Sequence, residues 1–263
     1  MLWCGVSRAF GLQQARRVKA IVPFDGAGYD VRLPKATAQL TDQFSIRYES
    51  IDGAHLWRKP KSGLVGTTAL TAHSGMGKST LLGHLFRRLR HVHNPAFPFE
   101  FSPDLHATAP IEVAFVPQNP PFVYHWPLGR VLPGGSPFYN SLMQTKPFDA
   151  TRRLSQFSGG EIRRIYASSC LAFLAASAAR TGFLLLDETF DGVGPVEMER
   201  CLKGIRDCWI QLVQLRSLQV LLVTHHDHVK LIKEIPDAIG LEMTIDSNAS
   251  SDEGITVHVH QSS

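Results

Sequence analysis

Cysteine is scarce. Cys4, Cys170, Cys201 and Cys208 are the only four in 263 residues, and no two stand as C-x-x-C. That spacing excludes a zinc ribbon and a disulfide-dense secreted scaffold, and it points to a reducing compartment. Long apolar runs are missing as well. The longest nearly apolar stretch, Tyr166 to Ala179, contains three serines and is shorter than the roughly 20 residues a spanning helix needs. Any work at a membrane would therefore need a span supplied by another chain. Excess charge is confined to one place. The net +4 resides in residues 1–40, where Arg8, Arg16, Arg17, Lys19, Arg32 and Lys35 face only Asp25 and Asp30, and the rest of the chain is balanced. A globally basic nucleic-acid binder is not indicated. No internal repeat is visible.

What is present is a 44% apolar chain whose short Leu-rich or β-branched runs alternate with longer helical stretches. This is the pattern of an α/β domain on a largely parallel sheet. Strands are expected at Phe44–Tyr48, Thr67–Ala72, Val113–Pro117, Phe183–Asp187 and Val220–Thr224, and helices at Lys78–Arg90, Gly160–Ala179, Pro195–Arg216 and His228–Glu234. The tail from Ala238 to His260 reads as two strands joined by the polar turn Ser247–Gly254. Residues 119–157 stand apart, with Pro120, Pro121, Pro127, Pro133, Pro137, Pro147 and the pair Gly134-Gly135, which disfavours long regular helices there.

Ala72-His73-Ser74-Gly75-Met76-Gly77-Lys78-Ser79-Thr80 follows an expected strand and opens an expected helix. In that context the pattern is a phosphate-binding loop. Gly75 and Gly77 permit torsions that turn successive N–H groups toward phosphate oxygens at a helix start. Lys78 would neutralise β- and γ-phosphates, and the Ser79 hydroxyl would ligate Mg²⁺. Ala72 stands where the pattern has its first glycine. Downstream, the apolar run Phe183-Leu184-Leu185-Leu186 ends in Asp187-Glu188. In a nucleotide site the first carboxylate would hold Mg²⁺ and the second would polarise the attacking water.

Between them lies Leu154-Ser155-Gln156-Phe157-Ser158-Gly159-Gly160-Glu161, followed by Ile162-Arg163-Arg164-Ile165. It resembles the signature of the ATP-binding cassette (ABC) ATPases, in its common F-S-G-G-E form. Ser158, Gly159, Gly160 and Glu161 would then form a second anion cradle at a helix start. In that family the cradle faces the nucleotide held by a partner domain. Phe115-Val116-Pro117-Gln118 resembles the family's Q-loop, which implies that Gln118 reaches Mg²⁺ and the attacking water. Val223-Thr224-His225 resembles its switch histidine, which implies that His225 contacts the γ-phosphate. Asp187 to Pro195 aligns without gaps on D-E-P-F-S-A-L-D-P, with Glu188 at the catalytic carboxylate. Thr189 replaces the proline and Gly194 replaces the aspartate that crosses the dimer; Asp191 is a nearby substitute. The family stacks adenine on an aromatic residue upstream of the loop, for which Tyr48 is the candidate and Phe44 and Trp57 are rivals.

The resemblance covers about residues 42–234. It implies a P-loop NTPase of ABC type: a mostly parallel core sheet, an N-terminal antiparallel β region, and a short irregular helical subdomain at 119–157. The domain expectation is a basic extension over 1–40 and an ATPase domain over 41–263. Expected cofactors are ATP and Mg²⁺, and the expected partner is a second ABC ATPase domain, a homodimer. One output is transport, with separate membrane-spanning subunits contacting Phe122–Leu128, where Phe122, Tyr124 and Trp126 are candidate anchors; the chain would then sit in the cytoplasm at the inner face of a membrane. The alternative is a soluble ABC ATPase acting on a protein or nucleic-acid complex. Long coiled coils of the SMC and repair types do not fit between loop and signature, and the two cassettes of translation types are not present. Residues 1–20 fit a short helix with solvated charge, a basic arm or an organellar transit peptide. The cluster His225-His226-Asp227-His228, and His258 with His260, read as surface histidines rather than a zinc site.

Overall fold

A computed structural model of the chain describes residues 30–32, 35–39, 45–50, 55–57, 64–90, 100–102, 111–144, 146–213, 216–224, 235, 238–245 and 254–261. Strands run at β1 (Asp30–Arg32), β2 (Lys35–Gln39), β3 (Ser45–Ser50), β4 (His55–Trp57), β5 (Val65–Thr71), β6 (Glu100–Ser102), β7 (Ile111–Val116), β8 (Thr181–Asp187), β9 (Ser217–Thr224), β10 (Ala238–Ile245) and β11 (Gly254–Gln261). Helices are α1 (Lys78–Arg90), α2 (Leu128–Val131), α3 (Pro137–Met143), α4 (Gly159–Ala176) and α5 (Pro195–Leu212). The main sheet has the order β2-β3-β11-β10-β5-β9-β8-β7. It is mostly parallel, with antiparallel pairs only at β2–β3 and β10–β11. A small antiparallel sheet, β4-β1-β6, accompanies it. Strands β1 and β2 fall within the stretch read as a basic extension; β2 forms one border of the main sheet through its pairing with β3.

Every residue of β5, β8 and β9 is buried, and β8 and β9 carry apolar runs, because both faces of a parallel sheet are covered. Side chains alternate between the two covers. Phe183 and Leu185 of β8 join Leu221 and Val223 of β9 against Leu81, Leu82 and Leu85 of α1. Leu184 and Leu186 join Val220 and Leu222 against Ala167, Leu171 and Leu174 of α4 and Met198, Ile205 and Trp209 of α5.

Helix α4 stops at Ala176, short of the expected Ala179. Arg216, arriving ahead of β9, donates its guanidinium to the carbonyls of Ala175 and Ser177 and occupies acceptors a further turn would use. Helix α5 stops at Leu212, short of Arg216, because the chain turns there to enter β9; Trp209 Nε1 spans the turn to Arg216 O at 2.9 Å. The expected helix His228–Glu234 lies outside the described residues.

Segment 119–157 is irregular, as its prolines require. Helix α3 nevertheless belongs to the body of the molecule. Pro137 occupies its first turn, where a missing N–H costs nothing. Phe138 and Leu142, one turn apart, enter the same core as α4 and α5, while Tyr139 and Met143 enter a second core with Phe122, Leu128, Leu154 and Ile162. Where α3 meets α5, Gly204 lies so near Ser141 that a Cβ on the glycine would stand 2.9 Å from the serine's Cβ.

Candidate functional site

The carboxyl ends of parallel strands are where open α/β sheets hold ligands. Here β5, β9, β8 and β7 end side by side, with Thr71 paired to Thr224 and Asp187 to Val223. The loop after β5 turns through Gly75 at φ +84° and Gly77 at φ +77°, torsions that glycine alone adopts freely. Its chain neighbours aside, nothing lies within 4 Å of a notional Gly75 Cβ, so the space beside the loop is open there. Met76 is buried in the core beneath and anchors the loop, whereas Ser74 is exposed and Thr80 is half-buried on α1. Lys78 is only 5% exposed. Its ammonium donates to Ala72 O at 2.9 Å and His73 O at 3.0 Å, so it lies inside the curl of its own loop.

Asp187 closes β8 and is 2% exposed. The Ser79 hydroxyl hydrogen-bonds its carboxylate, yet Oδ1 is left without a partner. Burial pushes this carboxyl above its ordinary value, with the Glu188 charge adding to the rise; the Ser79 bond and the charges of Lys78 and Arg163 work against it. The next residue, Glu188, has φ +48°, a left-handed torsion that costs a non-glycine residue about 1–2 kcal/mol. This kink brings its carboxylate to Gln118, whose Nε2 donates to Glu188 Oε2 at 2.7 Å. Two residues from separate strand ends, singled out independently in the sequence, thus meet.

Ser158 caps α4. Its N–H donates to Glu161 Oε2 at 2.8 Å, and Glu161 N–H donates to Ser158 Oγ at 3.4 Å, a reciprocal capping box. Glu161 also pairs with Lys146; together these contacts pull its carboxyl below the ordinary value against burial, the largest opposing influence. Ser158 and Gly159 are exposed, and nothing stands within 4 Å of a Cβ on Gly159. The first turn of α4 is therefore open to solvent at Ser158 and Gly159, while the Ser158 and Glu161 N–H groups are engaged in the capping box. Gly160 faces inward, where a Cβ would meet Asp191 O at 3.1 Å.

Some expectations end differently. Backbone pairing places Tyr48 in β3, opposite Val257 and Ala36; its side chain, and His225 altogether, lie outside the described residues, as does Phe44. Trp57 is described only as a backbone position in β4. Of the candidate anchors, Phe122 is 7% exposed and belongs to a core, and Trp126 is half-buried beneath Arg130, whose guanidinium carbon lies 4.0 Å from its ring centre; Tyr124 alone is exposed, at 54%. The segment is held by strand-like bonds to the approach to Ser158, Leu154 N–H to Trp126 O and Ser155 N–H to Tyr124 O. Arg163 received no role from the sequence, yet its Nη1 donates to the Glu188 carbonyl and its Nη2 lies 3.8 Å from Asp191 Oδ2. The available signal was spacing: Gly160 and Arg163, three apart, share a helix face.

Among the described residues, no group of three or more His, Cys, Asp or Glu is arranged to hold a metal, and no helix is long and apolar enough to cross a membrane. No family model matches the sequence, and no curated protein matches it. Solved structures do. The chain is similar to one described as RNase-L Inhibitor, with 15% identity, a TM-score of 0.47, and coverage of 88% of this chain and 39% of that one. It is similar to a putative ABC transporter ATP-binding protein from Pyrococcus furiosus, with 14% identity, a TM-score of 0.46, and coverage of 75% and 91%. It is also similar to UvrA2 from Deinococcus radiodurans, with 16% identity, a TM-score of 0.48, and coverage of 89% and 37%. The chain thus spans about two fifths of the length of the first and third of these structures.

Proposed function

We propose that this chain is an ABC-type ATPase that binds Mg²⁺-ATP on the 72–80 loop and hydrolyses it when a second copy closes over the nucleotide head to tail. The observation that carries the reading is the Gln118–Glu188 contact beside the Ser79–Asp187 pair at the foot of a phosphate loop.

The residues suit both cofactors. Magnesium takes oxygen ligands and is usually held by one or two protein groups plus waters and phosphates. A buried Asp187 Oδ1 without a partner, next to a serine hydroxyl, supplies such a donor set. Bound there, the ion would neutralise charge on the β- and γ-phosphates. Lys78 would exchange its two loop carbonyls for phosphate oxygens, a stronger charge-assisted contact. Glu188 would accept a proton from the attacking water, and Gln118, already on that carboxylate, would orient the water. The exposed Ser158–Gly159 turn of one copy would cradle the γ-phosphate on the other. His225, which follows Thr224 in sequence, is the residue assigned to the γ-phosphate. Tyr48 is the residue assigned to adenine.

Of the two outputs, transport through separate membrane subunits docked on 122–128 rests on Tyr124, since Phe122 is committed to the core and Trp126 is partly covered. That burial favours the second output, an ATPase that regulates or remodels a protein or nucleic-acid complex. Recovery of the chain with a polytopic membrane protein would reverse this preference. The chemical reading is tested with Glu188→Gln, which should bind ATP with unchanged affinity, lose turnover and accumulate an ATP-bound dimer by size-exclusion chromatography. Unchanged turnover would refute it.

A further inference from the structure

We propose that Arg163 is a positioning residue that clamps the catalytic loop, holding Glu188 in its left-handed conformation and tying that conformation to the start of α4. The proposal rests on the ATPase reading only for its kinetic consequence.

A left-handed non-glycine residue persists only where its surroundings over-determine it. Three contacts do so at Glu188. Gln118 holds the side chain. The carbonyl oxygen accepts from Asp191 N–H at 3.1 Å and from Arg163 Nη1. The same guanidinium reaches Asp191 Oδ2 at 3.8 Å, so its planar fork spans the loop from residue 188 to residue 191. Its side chain is 14% exposed and that of Asp191 44%, so the part-buried bond to the Glu188 carbonyl is the firmer hold and the ion pair adds little energy but sets the direction of the fork.

One turn toward the helix start, Gly160 packs on the Asp191 carbonyl with room for a hydrogen but not for a methyl group without displacement. The first turn of α4 therefore has two sides. Ser158 and Gly159 are open to an arriving anion, and Gly160 and Arg163 touch the loop that carries Glu188. A shift of the helix start on anion engagement moves the guanidinium, and with it the carbonyl that fixes where the Glu188 carboxylate points. A lysine cannot reproduce this, because one ammonium lacks the fork that bridges the Glu188 carbonyl and Asp191 at once. The pairing of Asp191 with Arg163 inside one chain also gives that aspartate an occupation other than replacing the missing cross-dimer residue at Gly194.

Two measurements on R163A and R163K test the clamp. Amide hydrogen exchange, made without nucleotide, should show residues 188–193 exchanging faster in R163A while β8 keeps its protection; unchanged protection at 188–193 overturns the clamp whatever the catalytic activity. In steady-state hydrolysis, R163A should lower kcat roughly 10- to 100-fold, the scale expected for a misplaced catalytic group, with KM for ATP within about twofold of the parent. R163K should recover only part of the loss. A rise in KM matching the fall in kcat, or full recovery by R163K, would overturn the positioning role. A parent protein that binds ATP and never turns it over would defeat the ATPase reading instead, leaving the exchange result to decide the clamp.

Discussion

Replacing Gly204 by alanine should destabilise the protein, although alanine is the better helix former. In an open helix the substitution gains about 1 kcal/mol. On α5, however, the added methyl would stand 2.9 Å from Ser141 Cβ, 3.2 Å from its Oγ and 3.4 Å from its Cα. The first and last of these atoms are fixed to the backbone of α3, so no rotamer change relieves the overlap and the helix must withdraw. Withdrawal loosens Phe138 and Leu142 in the core and the bonds from Gln144 to Glu197 O and from Cys201 Sγ to Leu142 O. Overpacking of this kind costs about 1–3 kcal/mol. Set against the propensity gain, the net loss is about 1 kcal/mol, or about 2–4 °C in Tm for a chain of this size. Ser141→Gly removes the Cβ that G204A strikes, so the double variant should be more stable than the sum of the singles by at least about 1 kcal/mol. Urea denaturation of the parent, both singles and the double measures all four corners. A G204A protein more stable than its parent, or a cycle additive within about 0.5 kcal/mol, would refute the close approach of α3 to α5.

Asp187 gives a pH dependence. Burial, the dominant cause, raises its carboxyl above the ordinary 3.8, so the folded state binds its proton more tightly than the unfolded state does. Stability of the nucleotide-free protein contributed at this site is therefore greatest below the ordinary value, falls as pH rises through the window up to the raised value, and stays lower above it. Asp187→Asn should flatten that portion of the stability–pH curve measured by thermal unfolding; an unaltered slope would remove Asp187 as its source. Lys78→Ala should weaken ATP binding by roughly 100-fold, the loss of a buried cation that grips phosphate, and isothermal titration with an unchanged Kd would refute the phosphate role.

The local features of the site were legible because they depend on residue type and short spacing. Gly75, Gly77 and Lys78 announced a loop opening a helix, and α1 has the expected limits. The apolar run before Asp187 announced a buried strand, which β8 is. Long-range partnership was not legible. Nothing near Phe122 states which surface will cover it, so an aromatic that read as a candidate anchor lies instead in a core with Leu128, Tyr139 and Leu154. Strand β2 was hidden for a related reason: Lys35–Gln39 carries little apolar signal, and its place comes from pairing with β3. Arg163 was hidden because its partners are a backbone carbonyl and a residue of a distant loop.

The order of strands also governs when the site can exist. The phosphate loop hangs from β5, whose two neighbours are β9 and β10: Thr67 pairs with Val220 on one side and with Ala238 on the other. Both partners follow β5 only after β6, β7, β8 and the helices between them, so β5 waits with its hydrogen-bonding edges unfilled while those segments emerge. Contacts so remote in sequence make folding slow and leave the intermediate prone to association. The phosphate loop is thus set in place only once strands far downstream of it have closed the sheet on both sides of β5.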